Sequence, residues 1–164
     1  KNKIMNQDPI INDTHTTTDM YYKGSWMLHT LRTVLNNDSL WFDVLRGIQS
    51  RFKHQTVNTN KLIKYIQEKS GYDLSNFFHQ YLFDSEIPVF QYFFKNRRGN
   101  CFVYFKWDTK SDSFNMPLLA KINSDDYAWI YPNEKWQKIQ LKDISSVDFH
   151  VPENLFLIDV LKVK

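Results

Sequence analysis

The sequence is short of several residue types on which common kinds of function depend. Only four of its 164 residues are glycine, and no glycine spacing of a phosphate-binding loop occurs, which argues against a nucleotide site of that kind. Cys101 is the single cysteine, so no disulfide can form within the chain, and its alternating apolar surroundings predict a small buried hydrophobe. No apolar run reaches the roughly 18 residues that a membrane-spanning helix needs.

Charge of one sign is not concentrated along the chain. The 21 basic and 18 acidic side chains are interspersed and give a net charge of +3. The largest basic clusters are residues 95–98 and the pair Lys61 and Lys64, whereas a nucleic-acid surface needs several phosphate contacts on one face. We interpret these clusters as a solvated turn and a solvated helix face, and we expect no nucleic-acid partner.

Recognisable catalytic motifs are also missing. The five histidines include no HExxH pair, and each is interpreted as a surface or hydrogen-bonded residue, with His29 and His79 the best metal candidates of a weak set. Cys101 lies within a predicted strand without a sign of an activating base, and no serine stands in a GxSxG elbow. From the residues alone, the chain holds no complete active site and no metal site.

Aromatic residues, in contrast, are abundant. The chain has 13 Phe, nine Tyr and five Trp, and its hydrophobic fraction is 42%. Such a fraction is typical of a folded protein. Aromatic side chains favour the pleated, half-buried surfaces of β-sheets, so part of the chain is expected to be rich in strands.

The first half of the sequence has the apolar spacing of helices. Between about residues 19 and 83, apolar side chains recur at intervals of three and four, which predicts four helices of two to four turns each. The predicted N-caps are Asn37 or Asp38 for the second helix, Thr59 for the third and Asp73 for a short fourth. Gly71 is expected to end the third helix, and the short connections favour antiparallel packing.

After Pro88 the apolar period changes from 3.6 to 2, which predicts strands. The seven predicted strands are Val89–Lys95, Asn100–Trp107, Met116–Ile122, Tyr127–Tyr131, Lys135–Leu141, Val147–Val151 and Phe156–Val163. Gly99 is expected to take positive φ in the first turn. The predicted fold class is therefore α+β: an antiparallel helical bundle over residues 1–86 and an antiparallel β-sandwich over residues 87–164.

One stretch near the start of the first helix resembles a known family. Tyr21-Tyr22-Lys23-Gly24-Ser25, followed by WMLHTLR, is similar to the YxKGA segment of the M1 family of zinc metallopeptidases, the gluzincin aminopeptidases. Residues 13 to 92 keep the family's order and spacing, with SGYDLSNFFHQYL at the expected distance. The final stretch, VDFHVPENLFLIDVLKVK, looks like the end of the β-sandwich domain that follows the family's catalytic domain.

The resemblance implies a catalytic role for Tyr21. In such enzymes a zinc ion held by two His and a Glu activates a water, and the Tyr of YxKG stabilises the oxyanion of the tetrahedral intermediate. A phenol suits this task because it is an uncharged hydrogen-bond donor at neutral pH. Tyr22 is then interpreted as a packing residue, Lys23 as a tether of the helix start, and Gly24 as a site of close helix approach.

The family's other motifs would lie before Lys1: HExxH, the third-ligand Glu and the GxMEN-type strand. The chain is therefore expected to be a C-terminal fragment of an M1-like aminopeptidase that removes N-terminal residues from peptides, and to be inactive alone. The resemblance implies that zinc is bound upstream and not by the fragment, and that the upstream catalytic half is its partner. Many bacterial members are exported, which is compatible with an extracytoplasmic or periplasmic location but leaves the compartment open.

Two other interpretations stay open. In one, the chain belongs to a binding or scaffold protein that keeps the M1 fold without its chemistry. In the other, a helical cap sits on a carbohydrate- or protein-binding sandwich, which the many Trp and Tyr of residues 102–136 permit. Alternating aromatics in strands are, however, usually core or interface residues.

Overall fold

The computed structural model describes residues 3–5, 8–11, 18–111, 113–123, 126–141 and 149–164, and these form a mixed α+β fold. Within them, four α-helices precede the strands, and the last helix continues into a π-helix. The bounds are α1 Asp19–Leu35, α2 Asp38–Arg51, α3 Thr59–Ser70, α4 Ser75–Phe78 and the π-helix His79–Phe83. Helix α1 packs against α2 and the π-helix, and α2 packs against α3.

The ends of α2 and α3 follow from short polar side chains. Asn37 caps α2 by accepting a hydrogen bond from the Leu40 N–H at 3.0 Å, as predicted. The prediction of Thr59 as the cap of α3 is wrong, because the Asn58 side chain accepts from the Lys61 N–H at 2.9 Å. Gly71 ends α3 with φ of 77°, a left-handed conformation that glycine adopts without steric cost.

Helix α4 is shorter than predicted and differs at its start. The N-cap position is Leu74 rather than Asp73, although Asp73 does accept a hydrogen bond from the Ser75 N–H at 3.0 Å. After one turn the helix widens into the π-helix. The predicted apolar face is nevertheless buried throughout, at Leu74, Phe77, Phe78, Tyr81 and Leu82.

The described strands form two sheets and no closed barrel. Their bounds are β1 Val89–Arg97, β2 Asn100–Asp108, β3 Leu118–Lys121, β4 Tyr127–Ile130, β5 Gln137–Gln140 and β6 Asp159–Lys162. The larger sheet has the order β5-β2-β1-β6, and β3 pairs with β4 in the smaller one. Of the predicted strand Val147–Val151, residues 147 and 148 lie outside the described residues, and His150 makes a single bridge to Lys121.

The pairing is not antiparallel throughout, which corrects the sequence-based prediction. Strands β1 and β2 form the expected hairpin, with positive φ at Arg98 (48°) and Gly99 (80°). Strand β6, however, pairs with β1 in parallel, with Val89 opposite Asp159. A parallel pair needs a long connection instead of a tight turn, and β6 indeed reaches β1 only after the four strands β2 to β5 of the described residues.

The core is a single apolar cluster to which both helices and strands contribute. Leu157, just before β6, shows how the two parts are joined. Its N–H donates to the Thr30 hydroxyl of α1 at 2.8 Å, and its carbonyl accepts from the Tyr81 hydroxyl of the π-helix at 2.8 Å. Both backbone groups of this fully buried residue are therefore satisfied by side chains of the helical part.

Candidate functional site

Tyr21 lies in the first turn of α1 with its side chain directed to solvent. The side chain is 71% exposed, and the Tyr21 N–H donates to the Thr18 carbonyl at 3.0 Å. The Thr18 side chain makes no cap hydrogen bond. The phenol is therefore free of packing constraints from the described residues, and the helix start must be held by other groups.

Lys23 is one of those groups. Its side chain is completely buried, and its ammonium donates to the Asp84 carbonyl at 2.6 Å and to the Ser85 carbonyl at 2.7 Å. Both carbonyls lie directly after the C-terminal end of the π-helix. The C-terminal end of a helix favours a cation because of its partial negative charge. The interpretation of Lys23 as a tether of the helix start is confirmed.

The surroundings of Lys23 have opposing effects on the pKa of its ammonium group. Burial lowers the pKa of the Lys23 ammonium to about 8, against the smaller raising effects of the Asp19 and Asp84 carboxylates. Asp19 is itself buried and accepts a hydrogen bond from the Met5 N–H at 2.7 Å. The first turn of α1 is thus fixed on one side by the segment around Met5 and on the other by the loop after the π-helix.

Two buried polar atoms beside this tether have no hydrogen-bond partner among the described residues: Gln80 Oε1 and Asp84 Oδ2. The Gln80 amide nitrogen donates to the Glu86 carbonyl at 3.0 Å, and His79 Nδ1 lies 3.9 Å from Asp84 Oδ2. Sequence reasoning missed this cluster. A signal was present, however, because Lys23 stands four residues before Met27 and thus on the apolar stripe of α1, where a lysine needs partners.

The neighbours of Tyr21 in the motif have ordinary surroundings. Tyr22 is half-buried, and the Lys3 ammonium lies 5.1 Å from its ring centroid, a cation–π contact. A Cβ added at Gly24 would meet no described atom within 4 Å. The expectation that Gly24 allows a close helix approach is therefore wrong for the part of the chain that the structure describes.

The histidines do not assemble into a metal site within the described ranges. His29, His54, His79 and His150 are exposed, and His15 lies outside the described residues. Over these ranges, no group of three or more His, Cys, Asp or Glu side chains could hold a metal ion. Nor is any described helix long and apolar enough to cross a membrane.

A groove of about 510 Å³ opens elsewhere, between the end of α1, residues 72–77 and the smaller sheet. Its walls include Tyr72, Trp129 and Tyr131, and Tyr21 does not line it. Sequence reasoning did not find this groove because its walls come from four separate segments: residues 34–37, 72–77, 115–117 and 129–131. Tyr21 is thus an exposed phenol on a tethered helix start, and it lies outside this groove.

Comparisons with known proteins bear on the fold. No protein-family model matches the sequence, and no curated protein does. Among solved structures, the chain is similar to Legionella pneumophila aminopeptidase A, crystallised in complex with aspartic acid, with a TM-score of 0.70 and 12% sequence identity. The match covers 91% of this chain but only 18% of that aminopeptidase chain. The fold of this chain is therefore similar to that of one segment of that larger aminopeptidase chain.

Proposed function

We propose that this chain is the C-terminal part of an M1-like zinc aminopeptidase, comprising the end of the catalytic domain and the β-sandwich domain after it. In this proposal the longer protein removes N-terminal residues from peptides, and Tyr21 stabilises the transition state. The observation that carries the proposal is the 71% exposure of Tyr21 on a firmly tethered helix start, within a fold similar to a segment of an aminopeptidase.

The exposed side of α1 supports the proposal. Tyr21 and Leu28 are seven residues apart and so lie on the same helix face, and they are 71% and 42% exposed. Apolar side chains grouped on one face of a helix usually pack against another part of a protein. This face is where the upstream catalytic half of the longer protein would dock, and Tyr21 would then lie at the junction.

The chemistry assigned to Tyr21 is hydrogen-bond donation. When water attacks a peptide carbonyl, the oxygen becomes an oxyanion, and a fixed O–H donor aimed at it stabilises that state more than the ground state. The hydrogen bonds of Lys23 and Asp19 fix the backbone on both sides of Tyr21. Little further ordering of the Tyr21 backbone is therefore needed during the reaction.

Zinc, in this proposal, is bound by other residues of the longer protein. The described residues do not fit a metal ion, since they hold no group of three or more potential ligands. The chain alone is expected to show no aminopeptidase activity on an amino-acid anilide, with or without added zinc. Turnover by the isolated chain that disappears in Tyr21→Phe would contradict this expectation.

The test of the assignment is the Tyr21→Phe variant of the longer protein. Losing one oxyanion donor lowers kcat by about 10²–10³-fold, while KM should change little because the ground-state contacts stay. The matched control is Tyr22→Phe, which removes the neighbouring hydroxyl from a half-buried ring and should leave kcat nearly unchanged. Equal activities for Tyr21→Phe and the unmodified enzyme would refute the role of Tyr21.

The alternative is a scaffold or binding protein that retains the M1 peptidase fold without activity. It differs from the enzyme in residues outside this chain, because the zinc ligands of the first proposal belong to the rest of the longer protein. The sequence of the longer protein separates the two proposals. An HExxH motif with a downstream Glu supports the enzyme, and a degenerate motif supports the scaffold.

A further inference from the structure

The outer face of the larger sheet carries a basic surface that is distinct from the Tyr21 region. We define it as the basic sheet face, formed by Lys95 and Arg97 of β1, Arg98 of the hairpin turn, and Lys138 of β5. All four side chains are exposed. The first three are neighbours in sequence, but Lys138 joins them only because β5 pairs with β2, with Lys138 opposite Tyr104.

This face is concave at the hairpin end. Arg97, Arg98 and Lys138 line a depression of about 600 Å³ together with Asn100, Phe102 and Tyr104. None of these lining residues is acidic. Within the described residues, none of the four cations forms a salt bridge, whereas Lys106 further along the sheet pairs with Asp108 at 3.7 Å. The depression thus concentrates positive charge without a counter-ion from the described part of the chain.

The aromatic rings on the same face already contact other side chains of the chain. Phe93 and Tyr104 stack on each other with centroids 4.9 Å apart, and Trp136 meets Phe93 edge-on at 4.9 Å. The Lys95 ammonium lies over the Tyr104 ring and the Lys138 ammonium over the Phe102 ring, each 5.9 Å from the centroid. The face therefore presents ammonium and guanidinium groups outward, with the rings beneath them.

This arrangement discriminates between anionic partners. Proteins that hold single-stranded nucleic acid offer open aromatic faces on which bases stack, and sugar rings would need a similar open surface. Here a base or sugar could stack on Tyr104 or Phe102 only if the lysine ammonium group above that ring moved away. Carboxylates, in contrast, need only the outward cations, and the two arginines can bind them through paired N–H donors.

From this charge complementarity we propose that the basic sheet face binds an acidic segment of a partner protein, rich in Asp and Glu. The depression holds the segment's carboxylates between the hairpin arginines and Lys138. Successive side chains on one side of an extended segment are spaced as they are along a strand, so alternate acidic residues can face the sheet together. This proposal does not depend on the aminopeptidase assignment.

The experiment measures fluorescence polarisation of a labelled peptide of alternating Glu and Ser with the 164-residue chain. Saturable binding that weakens as salt is added is expected, because screening reduces attraction between exposed charges. A Gln-for-Glu peptide should not bind. The double variant Arg97→Glu with Lys138→Glu should lower the affinity by about tenfold or more, since like charges then face the peptide.

The matched control is the double variant Lys53→Glu with Lys69→Glu, which reverses the charge of two exposed lysines outside the basic sheet face. It changes the net charge by the same amount as Arg97→Glu with Lys138→Glu. The affinity of this control for the peptide should stay within about twofold, because neither Lys53 nor Lys69 lines the depression. Circular dichroism confirms that each variant is folded. If Arg97→Glu with Lys138→Glu fails to fold, Arg97→Gln with Lys138→Gln provides the same test, with a smaller expected loss of affinity for the peptide.

Several results would overturn the proposal. One is the absence of saturable binding, and another is equal weakening by the control pair, which would indicate attraction by net charge alone. Tighter binding of an oligothymidylate of the same length would assign the face to nucleic acid. Self-association of the chain that is abolished by the Arg97 and Lys138 reversals would assign it to a second copy. Binding by the isolated chain but not by the longer protein would mean that the longer polypeptide covers the face itself.

Discussion

The buried ammonium of Lys23 makes the unfolding free energy depend on pH in a defined direction. Its pKa is about 8 in the folded protein against an ordinary value of 10.5, because burial disfavours the charged form. Between these values the unfolded chain binds more protons than the folded chain, so the unfolding free energy rises with pH. The stabilisation is absent below pH 8 and is gained as the pH rises toward 10.5.

The size of this effect follows from the shift. A change of one pKa unit corresponds to about 1.4 kcal/mol, and integration from pH 7.5 to 9.5 gives a gain of roughly 2 kcal/mol. The Asp84 and Ser85 carbonyls lie in a partly exposed loop, so solvent screening reduces the expected gain to about 1–2 kcal/mol. The variant Lys23→Met lacks the titrating group and should lose this gain.

Urea unfolding at several pH values between 7.5 and 9.5 measures the difference between the unmodified chain and Lys23→Met. The difference should grow with pH, in favour of the unmodified chain. Lys69→Met, which removes an exposed lysine, should give a difference that does not vary with pH. A difference that shrinks as the pH rises would refute the reasoning, since the carboxylates of Asp19 and Asp84 would then outweigh burial.

Three further substitutions test packing. Tyr81→Phe removes the hydroxyl that donates to the buried Leu157 carbonyl at 2.8 Å, and urea unfolding should show a loss of about 1–2 kcal/mol; an unchanged value would mean that this bond does not hold the two parts together. Gly24→Ala should raise stability by up to about 1 kcal/mol, because alanine favours the helix and meets no described atom; a lower melting temperature would count against this. Gly47→Ala should lower the melting temperature because the Tyr65 hydroxyl occupies the place of the new Cβ. In a Tyr65→Leu background the same substitution should raise the melting temperature. A decrease in both backgrounds would rule out the contact with Tyr65 as the cause.

The positions of most helices and strands could be predicted because apolar spacing reflects burial directly. The four α-helices and six strands of the described residues lie where their periods indicated, with differences at the ends, and part of the seventh predicted strand, Val147–Val151, lies outside those residues. The π-helix could not be predicted, since a single widened turn leaves the pattern of Phe77, Phe78 and Tyr81 intact. The parallel pairing of β6 was also missed, because alternation predicts that a segment is a strand but not which strand it joins.

The candidate site was less accessible to sequence reasoning. Tyr21 was singled out through a family resemblance, since an aromatic residue at a helix start has no chemical signature of its own. The partners of Lys23 are backbone carbonyls of Asp84 and Ser85, and carbonyls are present at every residue, so sequence cannot indicate which ones a side chain reaches. The basic sheet face was hidden for a related reason, because Lys138 is distant from the hairpin arginines along the chain.

The parallel β1–β6 pair has a consequence for how the chain acquires its structure during synthesis. Strand β1 can form its hairpin with β2 as soon as both have left the ribosome, but its other edge stays open until the segment around Asp159 emerges. An unpaired strand edge is a template for association with other chains. Nascent chains are therefore most prone to aggregate in the interval between the two events, and a chaperone that covers strand edges should raise the yield most at that stage.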